Sequence, residues 1–149
     1  MARLSSLALA ALALAACAAG PALEIRDALS GGVYGRWPLA ENGEFAVEFV
    51  HSVNQSPVRE SFRVKQGTIW PAAARFTSFG AGMQSDLEEG QTLSRDGEAL
   101  VLSGPNRPFR ELNYIVGTVS DHVLYINGET LSLRELCGRN AHITFGVNP

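Results

Sequence analysis

The stretch from Phe45 to Lys65 constrains the fold most, because it alternates at period two on both sides of a turn. On its first arm Phe45, Val47, Phe49, His51 and Val53 share a face. On its second arm Val58, Glu60, Phe62 and Val64 do, with Arg59, Ser61, Arg63 and Lys65 turned away. Between them Asn54-Gln55-Ser56-Pro57 are turn formers, since Asn and Ser bond their own backbone and Pro fixes φ. The register that matches the apolar pairs sets Val53 against Val58, Phe49 against Phe62 and Val47 against Val64. It also sets His51 against Glu60, with Cβ atoms about 5 Å apart. A carboxylate on an inward face needs a partner. The expectation is therefore a His51–Glu60 pair, either a structural contact near the end of a core or half of a binding or catalytic site.

The remaining chain reads as short strands between strong turn signals. Leu23 to Asp27 alternates briefly, and Val33 to Trp37 follows a Gly-rich loop. Asn42-Gly43 turns the chain into the central hairpin, and Gln66-Gly67 turns it out into Thr68 to Trp70, which Pro71 stops or places at an edge. Phe76 and Ser78 share a face. Gly80-Ala81-Gly82 permits positive φ, and is either a plain turn or an anion-accepting one, though no helix follows as in a P-loop. Asp96-Gly97 precedes a strand at Glu98 to Ser103. A second hairpin spans Leu112 to Leu133 about Asn127-Gly128, with Ile126 against Glu129, Leu124 against Leu131 and His122 against Leu133. Leu133 to Cys137 suits one helical turn ended by Gly138, and His142 to Val147 a closing strand with His142 on the solvated side. The two hairpins are expected to face each other across the core. Eight or nine short strands with almost no helix predict an all-β domain, a single β-sandwich or partly closed antiparallel barrel.

The start of the chain reads as an export signal. Arg3 is followed by an uninterrupted Ala/Leu/Ser run, Leu4 to Ala16, too short to span a bilayer comfortably. It ends in Leu14-Ala15-Ala16-Cys17, the form of a bacterial lipobox, in which the Cys17 thiol carries the lipid. The expected organisation is a lipoprotein signal peptide over 1–16, an anchor and linker over 17–22 and one β domain over 23–149. The expected location is periplasmic and lipid-anchored to the envelope, with Ala18 after the cysteine pointing to the outer membrane. The alternative is an ordinary secretory signal, which would leave Cys17 free to pair with Cys137. The formal net charge of −3 argues against nucleic acid and against an electrostatic membrane surface.

For chemistry, the inward His51, Glu60 and His122 form the constellation to consider. They could hold Zn²⁺ with a fourth position open, although they come from separate elements without motif spacing. A hydrolase using Ser52 or Ser78 lacks G-x-S-x-G, and Ser52 falls on the face opposite His51. There is no CxxC, and the acidic stretch with Asp86, Glu88 and Glu89 lacks a calcium loop's alternating ligands. No cofactor is implied. The reading is a non-catalytic binding or interaction role, the alternative being a metal-binding protein or hydrolase.

Three segments carry a resemblance. They are Phe49-Val-His-Ser-Val-(two residues)-Ser-Pro-Val-Arg-Glu-Ser-Phe, then Phe76-Thr-Ser-Phe-Gly-Ala-Gly-Met, then Val116-Gly-(three residues)-Asp-His-Val-Leu-Tyr-Ile-Asn-Gly. Over Leu23 to Val147 the chain resembles the domain of unknown function family numbered 1850. The resemblance implies a short exported or membrane-anchored protein whose gene often lies beside tripartite ATP-independent periplasmic (TRAP) transporters with a fused permease and a TAXI-type solute receptor. It implies no established activity. Carried over by position, it points to His51, Ser52, Ser56, Pro57, Glu60, Ser78, Gly80, Gly82 and His122. The chain departs from the pattern with Met83-Gln84 where the family tends to Leu-Pro. The expected partners are the membrane through the lipid anchor and a TRAP permease or solute receptor.

Overall fold

The architecture is that of a computed structural model describing residues 20–53, 55–78, 86–104 and 107–148. Alternating apolar positions build two antiparallel sheets. The smaller takes β1 (Ala22–Asp27), β2 (Val33–Pro38), β8 (Glu111–Ile115) and β11 (His142–Asn148) in the order β2-β1-β11-β8. The larger is built from β3 (Glu44–Val50), β4 (Pro57–Lys65), β5 (Thr68–Phe76), β6 (Thr92–Asp96), β7 (Ala99–Ser103), β9 (His122–Ile126) and β10 (Glu129–Ser132). It runs β10-β9-β3-β4-β5-β7-β6. The expected β-sandwich is what forms, with eleven strands among the described residues and edges left open, so it is not a closed barrel.

The core is the set of inward faces that period two predicts. Leu23, Ile25, Ile143 and Phe145 from the smaller sheet are fully buried with Val47, Val64, Ile69 and Leu124 from the larger. Phe45 stacks on Phe62 at 5.1 Å and reaches across the sandwich to Phe145 at 6.0 Å. Burying such rings dominates the energetics of a core this size.

Several expectations hold and others shift for physical reasons. The register of β9 and β10 is as read, Ile126 against Glu129 and Leu124 against Leu131. Ser132 then caps α1 (Leu133–Cys137) by accepting from Glu135 N, and Gly138 ends it at φ 98°. The arm beginning at Leu112 is not continuous, however. β8 pairs with β11 in the smaller sheet, and Val116 to Asp121 carries the chain across to β9. The two hairpins do not face each other across the core either. They lie side by side, β3 bonded to β9. Pro71 neither stops β5 nor sits at its end. The register steps from Ser61 against Ala73 to Phe62 against Pro71, so Ala72 is the extra residue of a bulge. β7 pairs only with Ala73 to Phe76, so no strand of the larger sheet flanks Pro71 on that side.

One polar group in this frame is buried almost completely. Glu24 is 1% exposed, on the face of β1 opposite Leu23 and Ile25. Its two carboxylate oxygens accept from Arg26 Nε and Arg36 Nε. Burial alone would raise its pKa, but the bonds from Arg36 and then Arg26, with their charges, hold it below the usual carboxylate range. A depressed carboxylate stabilises the fold at neutral pH and loses that contribution as pH falls below its ordinary value of 4.5. Both arginines keep access to water, so Glu24→Ala is expected to cost only about 1–2 kcal/mol at pH 7. That cost should shrink by pH 3 in urea titrations.

Candidate functional site

The central hairpin pairs four residues earlier on its first arm than the apolar match predicts. Phe49 lies against Val58, Val47 against Glu60 and Phe45 against Phe62. His51 N bonds Ser56 O at 2.9 Å, making 52–55 the loop, and Gln55 there takes φ 52°. Pro57 opens β4 against Val50, a pair that exchanges no hydrogen bond in the alternation of the ladder, so its missing N–H costs nothing. Because the displacement is even, every side chain keeps its face. The expected His51–Glu60 pair does not form. His51 instead closes its own loop, its Nδ1 accepting from Val53 N at 3.3 Å, while Val53 is exposed at the loop.

The partner of Glu60 comes from the opposite sheet. Tyr114 on β8 donates its hydroxyl to Glu60 Oε2 at 2.5 Å. Burial, then the Glu60 charge and the hydrogen bond, push the Tyr114 pKa well above the ordinary tyrosine value, so the phenol stays protonated and donates. Tyr114 also sets its edge against Phe49, His122 and Phe145 at 6.4, 6.0 and 5.6 Å. His122 on β9 lies opposite Phe49 on β3 and stacks on it at 5.0 Å. Its Nδ1 accepts from Gly117 N at 3.1 Å, which selects the neutral tautomer protonated at Nε2. Thus Glu60 and His122 approach the same phenol from two strands, and His51 stays with its loop.

Burial lowers the His122 pKa; Asp121 pulls it upward and Arg134 downward. The unfolded chain therefore takes up the proton more readily, and stability declines as pH falls below 6.5. We expect urea midpoints measured at pH 7.5 and 5.5 to differ more in the native chain than in His122→Gln.

Glu60 and Tyr114 line a cleft of about 810 Å³ between the sheets. It lies where the four-stranded sheet ends at β8 and the seven-stranded sheet continues through β5 and β7. Phe49, Phe62, Phe109 and Leu102 contribute apolar walls. The exposed Glu88, Arg107 and Asn113 stand at the mouth, and Glu60, Ser61, Gln91 and Tyr114 are the half-buried polar groups of the lining. A cleft of that size and polarity suits a small organic molecule.

The other expected positions are dispersed. Ser52 and Ser78 are exposed, Ser52 on the hairpin loop and Ser78 beyond the end of β5. Gly80, Gly82 and Cys17 lie outside the described residues. Cys137 is a half-buried thiol pushed up to about 11, by burial first and Asp27 second. Among the described residues no group of three His, Cys, Asp or Glu side chains is placed to hold a metal ion. No helix among them is long and apolar enough to cross a membrane. Tyr114 is the residue that sequence reasoning missed. Its signal was the shared face of Leu112, Tyr114 and Val116, two of which are buried.

No curated protein and no solved structure matches the chain. A family match covers residues 45–133, narrower than the Leu23 to Val147 resemblance. It takes in the seven-stranded sheet from the second residue of β3, together with β8, and leaves out β1, β2 and β11. The strands that carry Glu60, Tyr114 and His122 all fall inside it. With more than half its length matched, the chain belongs to the family described as Domain of unknown function (DUF1850).

Proposed function

We propose that this protein is a non-catalytic binding module of the cell envelope, exported, anchored in the periplasm through Cys17 and acting as an accessory to TRAP-type solute uptake. The observation that carries the binding role is the cleft at the β8 edge, with the Glu60–Tyr114 pair inside apolar walls. Its volume suits a solute, and its inner Glu60–Tyr114 pair is fixed in orientation by its own hydrogen bond, as a recognition site requires. The anchor rests on the Leu14-Ala15-Ala16-Cys17 signal, and the link to uptake on the transporter neighbourhood that the family resemblance implies. A receptor or permease beside the anchored module would receive or supply the solute.

The test uses the full chain in a non-ionic detergent. Melting is followed against solutes grouped as cations, anions and neutral polyols, in the native chain and in Ala74→Phe. Ala74 lines the cleft directly opposite Glu60, so the ring fills it. Stabilisation by one solute class that disappears in Ala74→Phe supports the reading, and no stabilisation by any class contradicts it. In cells, a clickable fatty acid should label the native chain and not Cys17→Ser.

A further inference from the structure

The cleft has a charge imbalance at its interior. Glu24, Glu44, Glu48 and Asp96 each hold an arginine. Glu60 does not; among the described residues no cationic nitrogen lies within ion-pair distance of it. Its Oε2 is taken by the Tyr114 hydroxyl, and Oε1 accepts from no described residue. A half-buried carboxylate of this kind retains one oxygen for a donor from outside the fold. The surrounding walls include the rings of Phe49, Phe62, Phe109 and Tyr114; Phe49 and Phe62 each stack one face on a neighbouring ring, and an aromatic face left open attracts positive charge. At the mouth the exposed Glu88 and Arg107 offset each other, so the excess inside the cleft is negative. Water screens the mouth charges more than the interior one.

We infer that the cleft takes a small organic cation, an alkyl- or tetraalkylammonium group, with its charge set against Glu60 and its carbon surface against the aromatic walls. This rests on the binding role proposed above and names the ligand class for the same site. Tyr114 acts as a positioning residue here. By donating to Oε2 it fixes one oxygen of the carboxylate and leaves Oε1 for the ligand.

The experiment compares choline with its neutral isostere 3,3-dimethylbutan-1-ol, and with butyrate, by isothermal titration of the full chain in a non-ionic detergent. Choline is expected to bind at least about tenfold more tightly than the isostere, as a half-buried carboxylate and aromatic walls together provide. Glu60→Gln should remove that preference while the chain still unfolds cooperatively, its melting temperature lowered only by the weakened Tyr114 bond. Phe109→Leu, at the partly exposed mouth, should weaken choline by about threefold as one ring face is lost. Equal binding of choline and the isostere, or choline affinity unchanged in Glu60→Gln, overturns the inference. Butyrate or the neutral alcohol binding best, with loss in Ala74→Phe, overturns the cation and keeps the cleft as a binding site. No binding by any of a broad panel of solutes overturns both.

Discussion

Phe145→Ala is expected to cost about 3–5 kcal/mol, the largest loss from any single truncation considered for this fold. Phe145 is fully buried on β11, between Ile25 of β1 and Leu112 of β8 in its own sheet. It is also where the two sheets meet, with Phe45 at 6.0 Å and the edge of Tyr114 at 5.6 Å. Truncation removes both contacts and leaves a void walled by strands that cannot close over it, because their spacing is set by the ladders. The urea midpoint should fall with the m-value unchanged. Tyr114 would lose its lateral support, so the Glu60 contact should loosen too. A loss below about 1 kcal/mol would mean the sheets do not pack through this ring.

Gly117→Ala is expected to cost about 2–3 kcal/mol, although it adds one methyl group. A Cβ at Gly117 would lie 2.2 Å from Ser120 O, a backbone atom that cannot swing aside. The crossover from β8 to β9 must then open. Gly117 N also supplies the His122 Nδ1 bond, and Gly117 O accepts from Arg134 Nη2 at 3.3 Å. Displacing the backbone therefore frees His122 from its fixed tautomer. The imidazole should titrate closer to its ordinary value of 6.5 in the variant, a change that NMR of the ring protons follows. An unchanged titration curve with native stability would show that the crossover is not held this tightly.

Much of the fold was legible because period two is insensitive to even displacements. Phe45, Val47, Val58, Phe62 and Val64 were assigned inward and are buried, even though the pairing moved. The β9–β10 register was readable because Asn127-Gly128 leaves one turn geometry, with Asn127 at φ 51° and Gly128 at φ 79°. The first hairpin lacked such a signal. Matching Val53 with Val58 placed the loop at 54–57 where it forms at 52–55, and Val53 is 64% exposed. A lone apolar residue at a loop tip is common, and pattern matching reads it as core.

The site was half legible for a related reason. Glu60 and His122 were found as polar residues on apolar faces, and both lie against Tyr114. Tyr114 itself was hidden by topology, since Leu112 to Leu133 reads as one continuous hairpin until the chain changes sheets at Val116 to Asp121. No local pattern states which sheet a strand joins. His51 followed the same logic in reverse. Its face was read correctly, and the register then placed it beyond the reach of Glu60.

The most direct test is a double-mutant cycle on Glu60→Gln and Tyr114→Phe, with His51→Ala crossed against Glu60→Gln as the comparison. Unfolding free energies should show a coupling of about 1–2 kcal/mol for Glu60 with Tyr114, and additivity within about 0.5 kcal/mol for Glu60 with His51. Coupling to His51 and none to Tyr114 would restore the pair within one hairpin and remove the cross-sheet contact on which the cleft's chemistry depends.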